Sequence, residues 1–128
     1  MGELITFYGK VSGLGDYSLT SPAIRGNVGY IRIPKGVKLK IWAKRIAGPA
    51  TTVAIMFTRD VTASSVTWET IGTEHLASAG EITLEKRRPI VVVGYTGKEA
   101  IKFSRVGPSG ATDESYVEFD IEFVWDDE

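Results

Sequence analysis

Cysteine and glutamine are absent from this chain of 128 residues, and histidine and asparagine occur once each, as His75 and Asn27. Without cysteine there can be no disulfide framework, thiolate nucleophile, zinc ribbon or iron–sulfur cluster. A single histidine excludes any site that needs two imidazoles. Net charge is also scarce: 15 Lys and Arg against 16 Asp and Glu leave a formal charge of -1. That balance offers no overall field to draw nucleic acid or an anionic membrane, so a nucleic-acid partner is disfavoured. Long apolar runs are missing too, and nothing approaches the ~20 residues that a membrane-spanning helix needs. The segment Met1-Gly2-Glu3-Leu4-Ile5-Thr6-Phe7-Tyr8-Gly9-Lys10 has neither the basic start nor the apolar stretch of a signal peptide. Cytoplasmic synthesis without membrane insertion is the expectation. The shortage of heat-labile amide and sulfur side chains, beside plentiful Lys, Arg and Glu, points to a thermophilic origin.

What is present is a period of two. In residues 116–125, Val117, Phe119, Ile121, Phe123 and Trp125 share one face while Glu118, Asp120 and Glu122 share the other. A helix would scatter these side chains; a half-buried strand sorts them. Residues 37–44 behave alike, with Val37, Leu39, Ile41 and Ala43 inward and Lys38, Lys40, Trp42 and Lys44 outward. Further strands are expected over 4–8, 28–33, 52–58, 65–71, 81–86, 90–95 and 100–106, where β-branched and aromatic residues dominate. Ile90-Val91-Val92-Val93, apolar on both faces, is expected centrally in a sheet. Residues 69–76 offer one weak helical turn around Thr73-Glu74-His75-Leu76. Residues 12–29 and 107–115 read as long loops, the second as an exposed excursion.

With eight or nine strands and no crossover helix, the sheets must be mainly antiparallel. The fold class that follows is all-β: a two-sheet antiparallel β-sandwich filling one domain, residues 1–128, with a jelly roll as the leading topology.

Chemistry is harder to find. His75 has Glu74 beside it in sequence, but successive strand residues point apart, and no Gly-x-Ser-x-Gly elbow is present. Glu118, Asp120 and Glu122 stand about 7 Å apart along their strand, within reach of a two-carboxylate mechanism but equally an ordinary solvated face. On that face, removal of Asp120 is expected to cost under about 0.5 kcal/mol. Asp113 and Glu114 could contribute to a cation site, and Asp126-Asp127-Glu128 reads as a solvated end. Gly94-Tyr95-Thr96-Gly97-Lys98-Glu99 lacks phosphate-loop spacing and reads as a hairpin turn. No catalytic, metal or cofactor site emerges, and the expectation is a protein that is not an enzyme.

The informative surface is the pair of stripes, Lys38, Lys40, Trp42 and Lys44 against Glu118, Asp120 and Glu122. As sheet neighbours they would pair across the ladder; on separate faces they would be complementary patches on copies of one chain. Either way these seven residues are the candidate interface or ligand positions. Two vocations remain. The first is a self-assembling structural protein of virion coat or decoration type, a homo-oligomer found in virions, by analogy with viral jelly rolls. The second is a carbohydrate-binding module, with Trp42, Trp68 and Tyr30 as platforms for a glycan.

Overall fold

The computed structural model describes residues 2–22, 26–47, 51–76 and 89–125. Among the described residues there are ten strands: β1 (Gly2–Ser12), β2 (Gly15–Asp16), β3 (Ser18–Thr20), β4 (Ile31–Arg32), β5 (Val37–Ala47), β6 (Thr51–Thr58), β7 (Glu69–Leu76), β8 (Ile90–Val93), β9 (Ala100–Gly107) and β10 (Glu114–Trp125). They form two sheets, in which every pairing is antiparallel. The first runs β3-β1-β10-β5-β8; the second runs β2-β9-β6-β7, with β4 also pairing on β9. Between successive described strands the chain changes sheet at every step except from β6 to β7.

Alternation along the strands builds the core. Phe7 on β1, Leu39 and Ile41 on β5, and Val117, Phe119 and Ile121 on β10 point inward from the first sheet. They meet Val53 and Ile55 of β6 and Ile101 and Phe103 of β9 from the second. Each such side chain contributes about 1.5–3 kcal/mol through removal from water. Phe103 and Phe119 stack at 3.8 Å between centroids, which joins the two layers at the middle. Gly9 lies beneath that ring, where a Cβ would come within 2.8 Å of Phe119 Cε2.

Several expectations are corrected. Residues 69–76 are strand β7, because Thr51–Phe57 offers that segment a ladder and its β-branched residues suit one. Among the described residues β8 is an edge of the first sheet, not its centre, with Val91 49% exposed. An apolar run looks the same in sequence whether its second face is covered or left open. Residues 12–29 are not one loop but contain β2 and β3, and Tyr17 and Leu19 there are fully buried. The strand expected over 28–33 is reduced to β4 and an isolated bridge from Val28 to Leu19. Residues 65–68 precede β7 without joining it, and the strand expected over 81–86 lies outside the described residues, as does the segment 126–128. No helix among the described residues is long and apolar enough to cross a membrane.

Candidate functional site

The acidic and basic stripes are neighbours. β10 lies between β1 and β5, and its register sets Glu118 opposite Lys44, Asp120 opposite Trp42 and Glu122 opposite Lys40, with Lys38 opposite Val124. Because directly opposed residues share a face, Lys38, Lys40, Trp42, Glu118, Asp120 and Glu122 stand on the outer face of the first sheet, and Lys44 holds the register position opposite Glu118. The arrangement of two separate patches on opposite sides of the molecule is therefore excluded.

Across that face the rows can be read strand by strand. One runs Leu4, Glu122, Lys40, Val91 over β1, β10, β5 and β8. The next runs Thr6, Asp120, Trp42, and the next Thr20, Tyr8, Glu118, Lys44. Lys40 Nζ lies 3.9 Å from Glu122 Oε1, with both side chains a little over one-third exposed. Such a pair adds a few tenths of a kcal/mol to the fold and retains donor and acceptor capacity. Leu4 is 60% exposed, and Tyr8 and Tyr116 also show apolar surface there. A shallow groove of about 560 Å³ opens on the same side, lined by Tyr8, Lys10, Ser18, Thr20 and Tyr116.

Asp120 departs from expectation. Its side chain does point outward, yet the residue is only 8% exposed. Thr6 donates its hydroxyl to Oδ1 at 2.7 Å, and Trp42 stands across the ladder. Its removal would leave the Thr6 hydroxyl without that acceptor, so Asp120 is not a freely solvated carboxylate.

The aromatic candidates separate. Trp42 is half-buried on the first sheet, whereas Trp68 lies over the outer side of the second. There Lys102 Nζ stands 4.7 Å above its ring and is held by Asp16 at 3.0 Å. Tyr30 adjoins Trp68, with centroids 6.4 Å apart and planes tilted by 50°. Trp68, half-buried there, does not belong to the core between the sheets.

His75 Nδ1 sits 3.1 Å from the Thr52 hydroxyl across the β6–β7 ladder. Glu74 opposes inward-facing Val53, so it projects to the other face of β7 from the imidazole. Asp113 and Glu114 are engaged with protein cations: Arg105 Nη2 lies 3.4 Å from Asp113 Oδ1, and Lys10 Nζ lies 3.1 Å from Glu114 Oε2. The Lys10 hydrogen bond holds the Glu114 carboxyl below its ordinary value. No group of three or more metal-ligating side chains occurs among the described residues.

Two residues escaped the sequence reading. Arg105 is 1% exposed at the inward end of the Ile101, Phe103 alternation. Its Nη1 donates to the carbonyls of Asp113 at 2.9 Å and Gly13 at 3.4 Å, while Nε and Nη2 have no hydrogen-bond acceptor among the described residues. It anchors the loop 107–115, expected as a free excursion, to the turn after β1. Beside it Tyr17 bonds Ser115 at 2.8 Å, and burial pushes its phenol up. The alternation that places Ile101 and Phe103 inward was the available signal. The second is Glu99, also buried, whose carboxylate accepts from the backbone N–H groups of Tyr95, Thr96 and Gly97 and from the Thr96 hydroxyl.

No known protein family, curated protein or solved structure matches this chain.

Proposed function

We propose that this domain is a non-catalytic structural subunit of jelly-roll type that assembles with copies of itself, in the manner of a virion coat or decoration protein. The observation that carries the reading is the outer face of the first sheet. Exposed Leu4, Tyr8, Tyr116 and Val91 accompany adjoining columns of opposite charge on one broad surface. Apolar side chains grouped with paired charges are what a protein contact uses, and scattered singly they would need no account. Strand order supports the jelly roll. β2 and β4 pair with two successive stretches of β9 and act as one interrupted strand. Counted so, the sheets read first-eighth-third-sixth and second-seventh-fourth-fifth, with β3 an addition at the edge. That order is the one expected of two Greek keys wound together, a form that recurs in capsid proteins, and the step from fold to role is analogy. The expected result is a light-scattering mass at a multiple of 14.0 kDa over micromolar to submillimolar concentrations. A monomer throughout that range overturns the reading.

The Tyr30–Trp68 pair supports a second reading, a carbohydrate-binding surface. Two tilted rings beside a Lys–Asp pair offer apolar faces and hydrogen-bonding groups together, which a sugar ring requires. Tryptophan fluorescence titrated with neutral oligosaccharides should then shift in the native protein and not in Trp68→Ala. Absence of any shift removes this reading.

A further inference from the structure

We propose that the outer face of the first sheet is the surface of a twofold symmetric contact with a second copy of this chain, a contact that rests on the self-assembly reading and gives it a geometry. The argument is in the row Leu4–Glu122–Lys40–Val91. Two such faces can pack about an axis that lies between them, parallel to the strands and midway between β10 and β5. Rotation about this axis preserves height along the strands and reverses their order across the sheet. β10 of one copy then lies over β5 of the other, and β1 lies over β8.

Under that operation the row is its own complement. Glu122 faces Lys40 of the second copy and Lys40 faces its Glu122, while Leu4 faces Val91 and Val91 faces Leu4. Charge meets opposite charge twice, and the two exposed aliphatic residues of the row meet each other twice. The next row sets Asp120 over Trp42 and Trp42 over Asp120. The Lys40–Glu122 pair within one chain is long at 3.9 Å, so each group can also engage the facing partner. A twofold contact demands this property of a surface: what residue i presents, its facing residue j must complement in both directions. Aligned sheets stack about 10 Å apart, close enough for side chains of these sizes to interleave.

The face is of modest size. The four strands that face one another, at ~4.8 Å spacing and about eight residues of strand rise, give roughly 500 Å² per copy, at the small end for a specific complex. The test must accordingly be run at tens of micromolar and above.

Charge exchange is the experiment. Glu122→Lys and Lys40→Glu each place like charges face to face in two positions, and each should weaken dimerisation roughly tenfold or more in sedimentation equilibrium. The double substitution Glu122→Lys with Lys40→Glu restores the match and should restore the dimer, as should a mixture of the two single variants. A cross-linking arm is independent of these charges and exploits the lack of native cysteine. Leu4→Cys mixed with Val91→Cys should be joined by a short bismaleimide more readily than either alone. Within one chain those positions are three strand spacings, about 14 Å, apart, so the doubly substituted chain cannot close on itself with so short a linker. Rescue by the double exchange together with the mixed cross-link establishes the contact. If the native protein oligomerises but ignores both single exchanges and yields no mixed cross-link, this face is wrong while self-assembly stands. A strictly monomeric native protein overturns both.

Discussion

Phe119→Ala is expected to lower the unfolding free energy by about 4 kcal/mol. Phe119 is fully buried on β10, stacked on Phe103 of the opposite sheet at 3.8 Å and 14°, and met edge-on by Tyr17 at 5.7 Å and 74°. Removing the ring costs the transfer of its apolar surface, a cavity spanning both layers, and two aromatic contacts worth about 0.5–1.5 kcal/mol each. The pocket cannot collapse easily. Gly9 beneath the ring has no side chain to move into the space, and Phe103 is fixed by the β6–β9 ladder. A domain of this length is stable by only about 6–19 kcal/mol, so the variant forfeits a large share of the whole. Urea unfolding should show a lowered midpoint with an unchanged slope. Phe119→Leu, which keeps most of the volume, should cost less than half as much. A loss below about 1.5 kcal/mol for the alanine variant would mean that the two sheets are not joined through this stack.

The neighbourhood of Phe119 was legible in the sequence because it depends on one strand's own alternation. Val117, Phe119 and Ile121 turn inward and Glu118, Asp120 and Glu122 outward whichever strands lie alongside. The same reasoning recovers β5 and β9, and carried one step further along Ile101 and Phe103 it reaches Arg105. What alternation cannot supply is the identity of the neighbour. Asp120 is shielded by Thr6, 114 positions away in the chain, and by Trp42 across the ladder, and neither relation has a local signature. The edge position of β8 is likewise a property of the sheet order and not of Ile90–Val93. The candidate surface followed the same division. Both stripes were visible as columns of charge, but their adjacency, and the row that links Leu4 to Val91 through them, exists only once β1, β10, β5 and β8 are laid side by side.

Acid should unfold this protein partly through one carboxylate. Burial pushes the Glu99 carboxyl up, but the N–H groups of Tyr95, of Glu99 itself and of Thr96, with the Thr96 hydroxyl, outweigh burial and hold it at about 2 against an ordinary 4.5. Gly97 adopts φ +82°, which lets the chain curl around the carboxylate. That turn in turn ties three segments together, through Arg32 Nε to the Gly97 carbonyl at 2.6 Å, Ile33 N to the Glu99 carbonyl at 2.8 Å and Val61 N to the Lys98 carbonyl at 2.9 Å. A carboxyl whose value is depressed on folding stabilises the native state above its unfolded value. The contribution is therefore complete above about pH 4.5 and lost as pH falls through about 2. The shift sets a ceiling of about 3 kcal/mol, and the expected contribution is about 1–3 kcal/mol. Asp60, held down by the Thr62 hydroxyl, and Glu114, held down by Lys10, weaken the fold in acid as well, so the native protein alone cannot isolate Glu99. Glu99→Gln can. Its amide keeps one acceptor oxygen and turns an NH₂ toward groups that are themselves donors, so at pH 7 it should be less stable by about 2 kcal/mol. Urea unfolding between pH 7 and pH 2 should then show the two proteins converging as the native Glu99 takes up its proton. A constant difference across that range would show that the turn is held by its backbone alone and that the charge on Glu99 contributes nothing to it.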